Sequence, residues 1–417
     1  MKDVAPTLQL FGTRGSPAAY AIRDFLARCD VPFAWIELRD DEQARAFAYV
    51  SGLGDNRLPL CVFADGTRLE NPTVRQVTEK LGWFKNPSRS EYDLSIYGAG
   101  PAGLSAAVCG ASEGLKTVVV ERLAVGGQAA TSPKIESYLG FPHGVSGAEL
   151  AGRAWEQASR FGAEILLLRE GVRGAFVPGK GVVYLADGTK IITRLGLRDG
   201  NGLPPAQPAE RGPAVGRRRL LRRRGERGLA LRQCPGVRRG WRQFGRPGRA
   251  AFARYGAKVT MVVRDEALDN NLSHYLVDRI RAAPQIEVLL HTEVTAIHGD
   301  MLLRAIGLRN NQTGKEWTAE TSWLFVCIGG VPHTRWAAEL GIRCSDAGFI
   351  MTGPDLLKNE ARLEGWKLDR EPYYLETSIP GVFAAGDVRH GSIKRYASAV
   401  GEGAMAVISV HRYLTLG

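Results

Sequence analysis

Gly98, Gly100 and Gly103 stand at the spacing Gly-x-Gly-x-x-Gly, and an acid, Glu121, follows about twenty residues on. These residue types suit a dinucleotide. A glycine at 98 allows a tight turn, one at 100 lets backbone N–H groups approach a pyrophosphate, and one at 103 lets a helix pack close to a strand. Pro101 and Ala102 lie within this turn, and the positive end of the helix that follows suits phosphate. Glu121 can accept hydrogen bonds from ribose hydroxyls. A bare glycine turn is the alternative. A second stretch, Thr377 to Asp387, reads as an apolar strand ending in Gly386-Asp387.

The elements that must position these residues are legible around them. Asp93 to Tyr97 reads as a strand, Leu104 to Ala111 as a helix of small and apolar residues, and Thr117 to Val120 as a second strand. Downstream, Gly126-Gly127-Gln128 reads as a loop. Residues 148–161 read as a helix with Ala151, Ala154, Trp155, Ala158 and Phe161 on its core face. Residues 163–194 read as strands turning at Asp187-Gly188. Lys258 to Arg264, Ile286 to Leu290, Val294 to Ile297 and Leu324 to Ile328 also read as strands.

Together these motifs resemble the thioredoxin reductase-like flavoproteins, the class II pyridine nucleotide-disulfide reductases. The resemblance rests on Gly98–Gly103, Gly126-Gly127-Gln128, Ile135 to Phe141, Gly386-Asp387 and Arg395-Tyr396-Ala397 before Gly401-Glu402-Gly403, and spans about 91–194 and 251–414. It implies an α/β protein with two Rossmann-like domains, for FAD and for NADPH or NADH, and hydride transfer from NAD(P)H to FAD and onward to an unknown acceptor, protein or small molecule. It implies that Asp387 meets the ribityl-phosphate end of FAD, that Gly127 and Gln128 run beside the flavin ring, and that Arg395, Tyr396, Ala397 and a helix opening near Gly401 lie by its pyrimidine end. It also implies that Arg264 faces the 2′-phosphate of NADPH, and that the protein is a homodimer. No catalytic acid or nucleophile is visible.

Residues 1–88 resemble the thioredoxin/glutaredoxin fold: strand Leu8 to Phe11, helix Pro17 to Arg28, strand Phe33 to Leu38, Pro59 before strand Leu60 to Phe63, and a further helix from Pro72. That family opens its first helix with Cys-Pro-x-Cys, because a thiolate at a helix N-terminus has a lowered pKa. Here the slot reads Ser16-Pro17-Ala18-Ala19, so dithiol chemistry is excluded there, and a docking or dimer module is expected. The domains expected are therefore 1–88, a FAD domain of 89–204 and 335–417, and an NAD(P)H domain of 205–334.

Charge isolates one stretch. The 417-residue chain carries +12, and residues 195–250 hold 15 Arg and no Lys against 3 acids, while the remainder carries 40 basic and 40 acidic side chains. Leu195 to Ala250 shows no periodic signal, and no glycine fingerprint precedes Lys258. A disordered basic linker and a nucleic-acid-binding insert are two readings. Out-of-frame translation explains more. Read one nucleotide later, residues 240–249 permit Gly-Gly-Gly-Asn-Ser-Ala-Gly-Gln-Ala-Ala, which is the missing fingerprint, with Arg238-Arg239 becoming Val-Val before it. Arg198-Asp199-Gly200 permits Ala-Thr-Gly, and Arg218 to Arg222 permits Gly-Val-Tyr-Tyr-Ala. On this reading the excess charge says nothing of nucleic acid. A degenerate, non-catalytic FAD-binding remnant is the remaining alternative.

The six cysteines form no Cys-x-x-Cys pair, and the histidines, His390 and His411 among them, show no ligand spacing, so neither a disulfide framework nor a metal site is expected. Cys327 reads as core. The start of the chain lacks a basic stretch followed by an apolar one, and no apolar run would span a membrane, so the cytoplasm is expected.

Overall fold

The computed structural model describes residues 6–177, 179–199, 228–233, 258–270, 272–299, 303–327, 332, 334–357 and 365–416. Its contacts divide the chain into two units, one of 1–131, 135–200 and 334–417, the other of 132–134 and 201–333.

The first unit begins with β1 (Leu8–Gly12), α1 (Pro17–Arg28), β2 (Phe33–Glu37), the short α2 (Asp41–Gln43), β3 (Leu60–Phe63), β4 (Arg68–Glu70) and α3 (Val74–Lys80). Local chemistry sets the helix ends. Ser16 Oγ accepts the Ala19 N–H at 3.2 Å, with Pro17 in the first turn. Thr73 and Gln76 form a reciprocal capping box at α3. The four strands form a sheet in the order β2-β1-β3-β4, with β1 parallel to β2 and antiparallel to β3. Period-two alternation gives the sheet two apolar faces. Phe11, Leu38, Ala44, Ala48, Val50 and Leu60 cluster on one, and Leu8, Leu10, Ile22, Phe25, Leu26 and Cys61 on the other.

The same unit continues with β5 (Glu91–Tyr97), α4 (Pro101–Ser112), β6 (Thr117–Glu121), α5 (Gly147–Arg160), β7 (Glu164–Leu167), β8 (Gly171–Val177), β9 (Lys180–Leu185) and β10 (Lys190–Asp199). These strands and a later one, β18 (Val382–Ala385), form a seven-stranded sheet of order β7-β6-β5-β10-β9-β8, with β18 pairing β10. Strands β7, β6, β5, β10 and β18 run parallel, while β9 and β8 are antiparallel. Parallel strands need both faces covered, and β6 and β18 accordingly read as unbroken apolar runs.

The segment between α3 and β5 is tied down by hydrogen bonds. The Ser88 N–H donates to Glu164 at 2.8 Å, and buried Arg169 donates to Asn86 Oδ1 at 2.7 Å and to the Lys85 carbonyl at 3.1 Å while pairing with Asp187. Burial alone would raise the Asp187 carboxyl. Hydrogen bonds from Thr189 and the nearby Arg169 outweigh it and hold the pKa below the ordinary carboxylate range. A depressed carboxylate stabilises above its unfolded pKa and loses that contribution as pH falls through the folded one. Amide protection factors at residues 85, 86, 88 and 89, corrected for intrinsic exchange, should therefore fall on acidification below the ordinary carboxylate range and stay flat between neutral and mildly alkaline pH; a flat protection profile in acid would show that this pin is not electrostatic.

In the second unit, β12 (Lys258–Val262), α6 (His274–Arg281) and β13 (Ile286–Leu289) join β11 (Gly228–Gln233) and β17 (Trp323–Cys327) in a sheet of order β13-β12-β11-β17. Strands β14 (Thr292–His298), β15 (Ala305–Asn310) and β16 (Glu316–Glu320) form an antiparallel meander. Beyond the unit lie α7 (Arg335–Glu339) and α8 (Tyr396–Leu416), both in the first.

Several expectations need correcting. Residues 195–250 are not featureless: Leu195 to Asp199 complete β10, because the parallel slot between β5 and β18 is there to be filled, and Gly228 to Gln233 form β11. Strand β11 runs antiparallel to β12, where a βαβ unit would place a parallel strand. The shifted fingerprint at 238–249, Gly200, Arg218 to Arg222 and the Cys327 side chain lie outside the described residues. Strand β12 stops at Val262, so Arg264 sits beyond it, exposed. Strand β18 spans only Val382–Ala385, since Pro380 and a turn precede it. The C-terminal helix opens at Tyr396, not Gly401. Phe161 caps α5 with 40% of its surface exposed rather than joining the core.

Candidate flavin site

The fingerprint turn closes at the parallel end of the large sheet. Strand β5 ends at Tyr97, and Gly98 adopts φ +114°, a conformation that disfavours side chains. Its N–H donates to the Val120 carbonyl at 2.9 Å, tying the turn to β6. Gly100 caps α4 with Pro101 as the first helical residue. Buried Ala102, Gly103, Ala106 and Ala107 give α4 a smooth face.

Glu121 ends β6 and bridges two backbone segments. One carboxylate oxygen accepts the Ala99 N–H at 2.8 Å, and the other the Leu123 N–H at 2.8 Å. Each oxygen keeps a lone pair for a sugar hydroxyl. The loop then folds back onto the turn: the Gly126 N–H donates to the Ala99 carbonyl at 2.6 Å. A Cβ at 127 would stand 3.2 Å from Gly100 Cα, so only a glycine leaves this cradle of backbone open. The fit to a pyrophosphate is thus made by main chain, as a fingerprint turn requires. Gln128 is half-buried beyond it, and its carbonyl accepts from Thr131 Oγ1 at 2.7 Å.

The second wall comes from the C-terminal part. β18 delivers Gly386, at φ +73°, and the half-buried Asp387. The Gly386 N–H donates to Glu402 Oε2 at 2.6 Å, and Arg389 donates to Glu402 Oε1 at 2.7 Å. Arg389 and Glu402 are both under 10% exposed. Burial would lower the Arg389 pKa, but Glu402 outweighs it and holds the guanidinium charged. Tyr396 packs edge-on against Tyr138 at 4.9 Å, which stacks on Phe141 at 6.0 Å. Arg395 and Ala397 are exposed at the opening of α8.

Gly98, Gly100, Pro101, Ala102, Gly103, Glu121, Gly127 and Gln128 therefore belong to the turn, helix start and loop that close on one another, and Gly386, Asp387, Arg395, Tyr396 and Ala397 follow β18 and open α8 in the same unit. Arg264 belongs to the other unit. Sequence reasoning missed the Arg389–Glu402 pair: Glu402 lay inside a quoted motif without a role, and a lone Arg thirteen residues away gives no periodic signal.

The pyridine nucleotide-disulphide oxidoreductase family matches residues 249–403. The thioredoxin reductase of Mycolicibacterium smegmatis is 29% identical over 332 residues, covering 78% of this chain and 98% of the relative. This chain is a thioredoxin reductase-like FAD/NAD(P) oxidoreductase. Thioredoxin reductase 1 of Saccharomyces cerevisiae is also 29% identical, over 77% of this chain and 98% of its own length. Two solved thioredoxin reductases share the fold: that of Lactococcus lactis at TM-score 0.60 and that of T. acidophilum at 0.62, both 23% identical and each covering 78% of this chain. The cofactors of this reductase-like class are FAD and NADPH. Among the described residues no helix is long and apolar enough to cross a membrane.

Proposed function

We propose that the first unit binds FAD through Gly98, Gly100, Pro101, Ala102, Gly103, Glu121, Gly127, Gln128, Gly386 and Asp387, with Arg395, Tyr396 and Ala397 at the ring end, and that the enzyme passes hydride equivalents from NAD(P)H to an acceptor. The observation that carries this is the closure of Gly126 and Gly127 onto Ala99 and Gly100 beside Glu121. When bound, FAD would supply the hydride-accepting ring. The chain's own residues orient it and neutralise its phosphates with N–H groups and the α4 dipole. Asp387→Ala should weaken flavin retention about 10- to 100-fold, the scale of lost hydrogen bonds to a charged group. Full yellow colour after gel filtration of that variant would remove Asp387 from the site.

The curated relatives are named for thioredoxin. Neither the chain as written nor its shifted frame around Leu220, where every Arg codon becomes one starting with G, offers a Cys-x-x-Cys to relay electrons to a disulfide. Its acceptor, protein or small molecule, is therefore one that meets the flavin by another route. The β2-β1-β3-β4 sheet order supports reading residues 1–88 as thioredoxin-like, and Ser16 at the α1 N-cap has no thiol chemistry. Free, buried Cys29 and Cys61 support a reducing compartment such as the cytoplasm. A homodimer is the assembly we propose.

Arg264, exposed just past β12, is the residue we assign to the nucleotide phosphate. For residues 195–250 we propose out-of-frame translation. The codon reading supports it, and the family match begins at 249, where that reading returns to frame. Sequencing the coding DNA across codons 190–255 should reveal one base gained or lost at each end. DNA that matches the protein as written would leave a second reading, a flavin-binding remnant, which the antiparallel setting of β11 favours. Anaerobic NADPH then distinguishes them: bleaching of the flavin marks the enzyme, and persistent yellow colour the remnant.

A further inference from the structure

The loop that joins Glu121 to Gly126 is built into the core of the N-terminal sheet. Ala124 is 4% exposed and belongs to the apolar cluster of Leu8, Leu10, Ile22, Phe25, Leu26 and Cys29; Leu123 packs against the same cluster. The Val125 backbone lies beside the Cys29 sulfur at the end of α1. Trp83, just after α3, stacks edge-on against Trp155 of α5 at 5.0 Å. The loop's other ends are equally committed. The Leu123 N–H holds Glu121, and the Gly126 N–H holds Ala99. Three consecutive residues of the dinucleotide site thus have their side chains or backbone fixed by residues 8–31.

We propose that the N-terminal domain is a wall of the flavin site, a clamp whose packing on Leu123–Val125 sets Glu121 and Gly126-Gly127, so that flavin binding and closure of this seam are one coupled equilibrium. The inference rests on the flavin assignment above. It replaces the expectation of a separate docking module with a positioning role, and it explains why a thioredoxin-like domain would persist without its sulfurs. The opposite face of the sheet, around Phe11, Val50 and Leu60, includes none of these flavin-site residues. The clamp is therefore one-sided.

Linkage makes the coupling measurable without any substitution, because a ligand that favours the closed seam must lower the rate at which it opens. Cys29 is a built-in reporter at the seam: it is 7% exposed, and burial pushes its thiol up to about 12, so it reacts only when the seam opens. Alkylation of the flavin-stripped full chain, followed by mass spectrometry, should label Cys29 about tenfold or more faster than in the FAD-reloaded chain. Phe25→Ala should raise the FAD dissociation constant about tenfold, against a much smaller change for Leu60→Ala on the other face. FAD binding, read from its absorbance, with Cys29 labelling unchanged would overturn the clamp while leaving the flavin site intact. Failure to bind FAD at all would take down the flavin assignment, and the clamp with it.

Discussion

Glu402→Ala is expected to destabilise the first unit by about 3–5 kcal/mol and to empty it of flavin. Two costs combine. Arg389 is left charged and buried with its partner gone, since only 5% of its surface reaches solvent. The Gly386 N–H loses its 2.6 Å acceptor, and an unsatisfied buried donor costs about 1–3 kcal/mol. That N–H belongs to the turn presenting Asp387, so loss of stability and loss of flavin should appear together. The double variant Arg389→Leu with Glu402→Leu removes both charges and should recover part of the stability, though not the flavin, because the Gly386 turn still lacks its acceptor. Urea unfolding and flavin absorbance of the three proteins check this. A single variant within about 0.5 kcal/mol of wild type, the range of an ordinary surface substitution, would reduce the pair to decoration.

Gly403→Ala should be comparably damaging. Its Cβ would lie 2.1 Å from the Ala102 carbonyl oxygen and 3.0 Å from Ser105 Cβ, with Ser105 Oγ already donating to the Val400 carbonyl at 2.8 Å. Backbone stands opposite, so no side chain can swing aside, and α8 and α4 must separate. Overpacking of a tight core costs about 1–3 kcal/mol, and more where main chain has to move. Because Ala102 is in the first turn of α4, the displacement reaches the fingerprint turn and should weaken flavin binding as well as lower Tm. Gly401→Ala, two residues earlier on the exposed side of the same helix with open space around it, is the matched control and should be neutral or slightly stabilising. Equal melting points for the two variants would mean that the helices are not in intimate contact.

Features whose chemistry is local were legible in the order of residues. The turn at Gly98 to Gly103, the end of β6 at Glu121 and the Gly386-Asp387 turn after β18 could be read directly because tight turns, helix termini and strand ends are coded within a few neighbouring residues. The order of strands and helices in 1–88 was equally legible, as was the absence of sulfur at Ser16. Boundaries were less so. Tyr396 rather than Gly401 opens α8, and β18 is shorter than its apolar run, because helix and strand ends depend on which partner backbone is in reach. Leu195 to Asp199 lacked a periodic signal yet forms strand, since main-chain pairing with β5 and β18 asks little of side chains. Contacts between residues distant in the chain emerge only on packing: Arg389 on Glu402, Gly403 on Ala102, and Ala124 in the core formed by Phe25 and Leu26. No spacing rule encodes these. Each follows from how two separately coded elements pack, and burial then strengthens a pair that water would otherwise screen.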